Sequence, residues 1–94
     1  MSTIRISGNL DAASVPARLR ESARWFKADH ELTIDLADVS RADSAGVALL
    51  LDWLRQAQTA RTQLAFANAP EQMRAIIAFC ELGKVIPLAV ADND

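Results

Sequence analysis

The chain has 94 residues, enough for one small domain, and 51% of them are apolar, so one core can form without metals or disulfides. Its formal net charge of −2 gives no basic excess to neutralise phosphates, which argues against nucleic acid as a partner. The single cysteine, Cys80, lies in an apolar run, and we expect it to be a buried packing residue.

No segment of the sequence has the features of a secretory signal or a membrane span. The longest uninterrupted apolar run, residues 47–51, is far too short to cross a bilayer. We therefore expect a single domain over residues 1–94 that is cytoplasmic and soluble, without direct membrane insertion, and able to attach to a membrane complex.

The first half of the chain predicts a strand, a helix and a second strand. Residues 3–7 alternate apolar and polar side chains, as half-buried strands do. Ser14 and Pro16 favour a helix start, because serine is a good N-cap and proline is tolerated in the first turn; we expect this helix to end near residues 27–30. Alternation over residues 32–36 indicates the second strand.

The second half predicts a helix over residues 45–60, a strand over 63–67 and a last helix that begins near Pro70. We expect Gly83 to end that helix in a left-handed conformation, and residues 85–86 to add a short final strand. The inward face of the last helix is predicted to carry Met73, Ile76, Ile77 and Cys80.

Strands that alternate with helices at this spacing favour a mostly parallel sheet, because parallel neighbours need crossover connections. We therefore expect an α/β fold, a small sandwich with a mixed sheet of about four strands and three main helices packed on one side.

A polar loop between the second strand and the long helix contains Asp43, Ser44, Ala45 and Gly46. Asp43 and Ser44 both suit an N-cap, and Gly46 allows a tight turn or the close approach of another surface. We expect this tip to expose a hydroxyl and several unpaired backbone N–H groups. Ser44 is then either a simple helix cap or a contact hydroxyl and possible phosphoacceptor.

The long helix is apolar on more than one side. At 100° per residue, its inward stripe is predicted to consist of Val47, Leu50, Leu51, Leu54 and Ala57. Leu49 and Trp53 lie on the other side, and they project outward unless another element covers them. If they are exposed, the sequence predicts one continuous partner-binding patch formed by Ala42, Asp43, Ser44, Ala45, Gly46, Leu49 and Trp53.

The sequence offers little for catalysis. The one histidine, His30, lies in a polar turn, no group of residues has metal-ligand spacing, and no glycine-rich phosphate loop of the Walker type exists. We therefore expect no enzyme, no metal and no cofactor.

Several segments resemble STAS domains, the modules of sulfate transporters and anti-sigma factor antagonists. Residues 8–11 are similar to the family's Gly-x-Leu-Asp, residues 34–36 to its central strand, and residues 43–46 to its conserved loop. The resemblance covers nearly the whole chain, and it implies a small sheet with helices on one side.

Residues 40–51 are similar to the Ser-Arg-Val-Asp-Thr/Ser-x-Gly-Leu-Ala-Leu-Leu-Leu segment of the Mla branch of the family. This resemblance implies a non-catalytic subunit that binds the ATPase of an ABC transporter. The permease of the transporter belongs to the same inner-membrane complex, and the subunit is peripheral to that complex. That transporter moves phospholipids and maintains outer-membrane lipid asymmetry, and Ser44 would be an ATPase contact. The alternative branch is the anti-sigma factor antagonists, in which Ser44 would be phosphorylated by an anti-sigma factor kinase.

Overall fold

The computed structural model describes residues 2–88. Strands and helices alternate through these residues, as predicted. The elements are β1 (Ser2–Leu10), α1 (Val15–Ser22), β2 (His30–Ala42), α2 (Ser44–Ala60), β3 (Thr62–Ala67) and α3 (Glu71–Phe79).

Residues 2–88 form a three-stranded parallel sheet in the order β1-β2-β3. Ile34 in the central strand pairs with Ile4 on one side and with Phe66 on the other. The predicted fourth strand at residues 85–86 is not seen there, because these residues lie in a turn, and Leu88 makes a single parallel bridge to Phe66. The described sheet is therefore parallel rather than mixed.

All three helices pack on one face of this sheet. Each crossover joins neighbouring parallel strands, and right-handed crossovers place their helices on the same side. Accordingly, α2 packs against both α1 and α3. The core lies between these helices and the inward-facing side chains of the strands, which include Ile6, Leu10, Leu32, Ile34, Leu36 and Phe66.

The exposure predicted for Leu49 and Trp53 is wrong. Their side chains are 2% and 0% exposed, and the indole Nε1–H of Trp53 donates a 2.8 Å hydrogen bond to Ser22 Oγ at the end of α1. The Trp53 ring lies 5.5 Å from the Trp25 ring and 6.4 Å from the Phe66 ring, measured between centroids. Trp53 is thus a central residue of the core.

The inward stripe of α2 is rotated relative to the prediction. It is centred on Gly46, Leu50, Trp53 and Ala57, with Val47 and Leu49 buried beside them and Leu54 half-buried at its edge. Leu51 is also half-buried, but it lies two turns after Ser44 on the same side of the helix. The sequence pattern allowed either side of α2 to face the sheet, because the helix carries apolar side chains on most of its circumference. The small Gly46 and the hydrogen-bonded Trp53 determine which side faces inward.

Two expectations for the last helix and one for the first are also wrong. The Cys80 thiol is exposed, because α3 ends at Phe79 and Cys80 is its C-cap. The left-handed residue after α3 is Glu81, with φ of 58°, rather than Gly83. Helix α1 ends at Ser22, several residues earlier than predicted.

Strand β1 is irregular in its second half. Its register with β2 shifts between Arg5 and Ser7 and again between Gly8 and Asn9, as at β-bulges. Gly8 has a φ of 85°, which a residue with a side chain rarely adopts. These shifts bring Leu10 opposite Ala42, directly before α2.

We predict that Trp53→Ala lowers the free energy of unfolding by about 3 to 5 kcal/mol, because it removes the largest buried side chain and leaves a cavity. Trp53→Phe should cost less, since the ring still packs while the hydrogen bond to Ser22 is lost. Urea denaturation followed by circular dichroism measures both changes. Phe79→Ala is the matched control, because Phe79 is 88% exposed; an equal loss in this control would contradict the assignment of Trp53 to the core.

Candidate functional site

A single residue, Asp43, joins the end of β2 to the start of α2. Its backbone is extended, with φ of −131° and ψ of −168°, and its N–H donates to the Leu10 carbonyl oxygen at 3.3 Å. Because the junction is so short, whatever anchors Ala42 and Asp43 also fixes the position of Ser44.

The carboxylate of Asp43 caps α2. Its Oδ1 accepts hydrogen bonds from the backbone N–H groups of Ala45, at 2.9 Å, and Gly46, at 3.3 Å. The Val47 N–H donates to the Asp43 carbonyl oxygen at 3.3 Å. The expectation of several unpaired N–H groups at the tip is therefore wrong, and the capping role belongs to Asp43 rather than Ser44.

Ser44 is the first residue of α2, and its side chain is exposed. Among the hydrogen bonds found within residues 2–88, none occupies the Ser44 hydroxyl, so the group remains available to a partner. Ala48 is exposed one turn further along the same side of α2, followed by the half-buried Leu51 and the exposed Arg55. The accessible part of this face is therefore narrow, small and polar at its tip.

The predicted seven-residue patch is not one surface. Asp43 and Ser44 are exposed and Ala45 is half-buried, whereas the other four members are buried: Ala42, Gly46, Leu49 and Trp53. Ala42 and Gly46 support the tip from inside, whereas Leu49 and Trp53 belong to the core. The exposed neighbour Ala48 could have been identified from its position four residues after Ser44.

Gly46 permits close contact between α2 and β1. A Cβ built on Gly46 would lie 2.4 Å from the Leu10 carbonyl oxygen and 3.0 Å from Leu10 Cβ. Only glycine allows the first turn of α2 to approach Leu10 this closely. The surface that approaches Gly46 closely is therefore Leu10 of the same chain.

A second anchor comes from α3. The Gln72 side-chain oxygen, Oε1, accepts a 3.2 Å hydrogen bond from the backbone N–H of Ala42. Sequence reasoning missed Gln72, because it lies 30 residues away from Ala42 and no local pattern marks it. The start of α3 is thereby held beside the Ser44 tip.

Polar side chains also link β1, β2 and the residue that follows β3, on the sheet face opposite the helices. Asp35 is nearly buried, and its Oδ1 accepts from Asn68 Nδ2 at 3.0 Å and from the Ala37 N–H at 2.9 Å; Arg5 lies 3.5 Å from its Oδ2. The hydrogen bond from Asn68, followed by that from Ala37 and the charge of Arg5, lowers the pKa of Asp35 despite its burial. Asn68 holds a φ of 58°, so this network fixes the turn that leads to α3.

Within residues 2–88, no three histidine, cysteine, aspartate or glutamate side chains are grouped so that they could hold a metal ion. None of the three helices described is long and apolar enough to cross a membrane. A cleft of about 360 Å³, lined partly by Phe26, Arg55 and Thr59, lies at the end of α2 away from Ser44.

Over residues 1–88, the chain matches a family model described as "Mlab, STAS domain". Among solved structures, it is similar to the anti-sigma factor antagonist SpoIIAA in its unphosphorylated form, at 24% sequence identity and a TM-score of 0.70. That match covers 95% of this chain and 80% of the SpoIIAA chain, and at this identity it supports the fold alone. No curated protein matches the sequence.

We predict that Gly46→Ala lowers the free energy of unfolding by about 1 to 3 kcal/mol, because the added Cβ meets backbone atoms of Leu10. Gly83→Ala is the matched control: its Cβ would meet no atom within 4 Å, and we expect a change within about 0.5 kcal/mol. Urea denaturation measures both variants. If Gly46→Ala and Gly83→Ala have the same free energy of unfolding, the close contact between α2 and Leu10 is not needed for stability.

We predict that Asp35→Asn destabilises the fold by about 1 to 2 kcal/mol near neutral pH. Since the folded-state pKa of Asp35 is lowered from 3.8, its ionised form stabilises the protein above that value, and the contribution disappears as the pH falls through the lower folded-state pKa. The difference between wild type and variant should thus shrink below about pH 4. Urea titrations across pH test this.

Asp38→Asn is the control for this experiment, because Asp38 is exposed and lies 3.7 Å from the same Arg5 guanidinium. We expect it to change stability far less, since exposed ion pairs contribute little. A difference between wild type and Asp35→Asn that stays constant with pH would contradict the role assigned to the Asp35 carboxylate.

Proposed function

This chain belongs to the STAS domain family, and we propose that it is the non-catalytic subunit that binds the ATPase of an Mla-type phospholipid ABC transporter. STAS domains are generally regulatory or binding modules, and the matching family model indicates no enzymatic activity. Its description as a Mlab domain favours the transporter over other STAS roles. In this proposal, the protein lies at the inner membrane through its complex with the ATPase and the permease, and supports lipid asymmetry of the outer membrane.

The observation that carries this proposal is that Ser44 is exposed at a helix start which Asp43, Leu10 and Gln72 hold in place. The Ser44 hydroxyl is not needed for capping, because Asp43 caps α2, and Gly46 seats the helix start against Leu10. Because the backbone and side chains of such a tip are already ordered, binding of a partner restricts their motion little, and the entropic cost of association is low. We infer that the Ser44 tip, with Asp43, Ala45 and Ala48 beside it, is the part that contacts the ATPase.

The alternative is an anti-sigma factor antagonist controlled by phosphorylation of Ser44. The same exposure of the Ser44 hydroxyl favours it, since a kinase needs an accessible acceptor. A phosphate there would lie at the N-terminal end of α2, where anions are stabilised, but next to the carboxylate of Asp43, which already accepts the first N–H groups. This neighbouring negative charge is the reason for which we propose the ATPase contact first.

We predict that Ser44→Arg weakens capture of the ATPase at least about tenfold and lowers the melting temperature only slightly, since the residue is exposed and outside the core but a cation is mildly unfavourable at the start of a helix. The measurement is affinity purification of the tagged protein in mild detergent, with partners identified and quantified by mass spectrometry. Thr59→Arg is the matched control, an exposed hydroxyl residue near the other end of α2.

Recovery of an ABC ATPase with its permease by wild type and Thr59→Arg, and its loss with Ser44→Arg, supports the proposal. Recovery of a kinase with a sigma factor, together with a phosphate mass on Ser44, would replace it with the alternative. If Ser44→Arg retains the ATPase as wild type does, the docking surface lies elsewhere.

A further inference from the structure

We propose that Gln72 is a second contact residue of the docking surface, and that its side-chain NH2 group donates a hydrogen bond to an acceptor on the ATPase. The inference rests on the proposed function, because it extends the Ser44 tip across to α3. It gives one side chain two separable roles, one at its oxygen and one at its nitrogen.

The orientation of the Gln72 amide is set by its partner. The backbone N–H of Ala42 can only donate, so the atom that faces it at 3.2 Å must be the oxygen Oε1. Ala42 is 4% exposed, whereas Gln72 belongs to the exposed face of α3. With the oxygen turned inward, the NH2 group points away from Ala42 with two N–H donors.

Gln72 also lies in the right part of the fold. Both α2 and α3 follow the C-terminal ends of parallel strands, so both begin at the same edge of the sheet. The hydrogen bond places the Gln72 side chain at a residue only two positions before Ser44. One partner surface can therefore reach the Ser44 hydroxyl and the Gln72 amide together.

The chemistry of the tip defines the group that would recognise it. Oδ1 of the Asp43 carboxylate accepts from backbone N–H groups, and the Ser44 hydroxyl and the Gln72 NH2 are two further polar groups of this exposed surface. Both can donate hydrogen bonds. Because the neighbouring Asp43 carboxylate disfavours a second negative charge, the matching group on the ATPase is an uncharged acceptor, an unpaired backbone carbonyl as at a helix C-terminus.

Two substitutions separate the roles of the oxygen and the nitrogen. Gln72→Glu keeps an oxygen for the Ala42 N–H, and a carboxylate is favourable in the first turn of α3, but the donors are lost. Gln72→Lys keeps donors and loses the acceptor, which leaves the buried Ala42 N–H without its partner. A role in positioning alone would make Gln72→Lys the more harmful change for binding.

The test uses the full-length protein and the purified ATPase–permease complex, with dissociation constants from titration calorimetry and melting temperatures from circular dichroism. We expect Gln72→Glu to melt like wild type and bind at least about tenfold more weakly. We expect Gln72→Lys to melt about 4 to 8 °C lower and to retain binding better than Gln72→Glu at a temperature where both are folded. Gln58→Glu, at an exposed glutamine near the end of α2, controls for added charge and should bind like wild type.

Binding of Gln72→Glu equal to that of wild type would overturn the inference while leaving the proposed function intact. The same conclusion follows if Gln72→Lys binds more weakly than Gln72→Glu, because the oxygen would then be the important atom. If the wild-type protein itself fails to bind the complex, the proposed function fails instead, so the two failures are distinguishable.

Discussion

The burial of Trp53 is the constraint on which the rest of the structure depends. Its indole packs between Trp25 and Phe66, and its N–H is satisfied by Ser22, so this large side chain lies inside without an unpaired polar atom. This one side chain links the end of α1, the middle of α2 and the sheet. It also fixes the rotation of α2 about its axis, and therefore decides that the side of the helix bearing Ser44 faces outward.

The tip of α2 derives its rigidity from contacts that reach it from three directions. Asp43 caps the helix from within the junction, Leu10 of β1 accepts the Asp43 N–H and supports Gly46, and Gln72 of α3 holds Ala42. Each contact is short range, but its partners come from separate elements. The arrangement presents a small polar surface in one conformation, which is what the proposed docking role requires.

Local patterns in the sequence were sufficient for the alternation of elements and for the bounds of α2 and β3, which the structure places within one residue of the prediction. They could not decide which side of α2 faces inward, because apolar residues surround most of that helix. That choice depends on the close approach of Gly46 to Leu10 and on the hydrogen bond from Trp53 to Ser22. The residues of each pair are more than 30 positions apart in the sequence. Gln72 was missed for the same reason, since its role depends on where α3 begins in space.

The register shifts of β1 have a consequence for how copies of the protein meet. In the sheet formed by residues 2–88, β1 is an edge strand of nine residues, long enough to attract a strand from another molecule. A regular ladder requires evenly spaced N–H and C=O groups, and the shifts on either side of Ser7 and Gly8 interrupt that spacing. The same irregularity that aligns Leu10 with α2 therefore limits edge-to-edge aggregation to the few residues before Ile6.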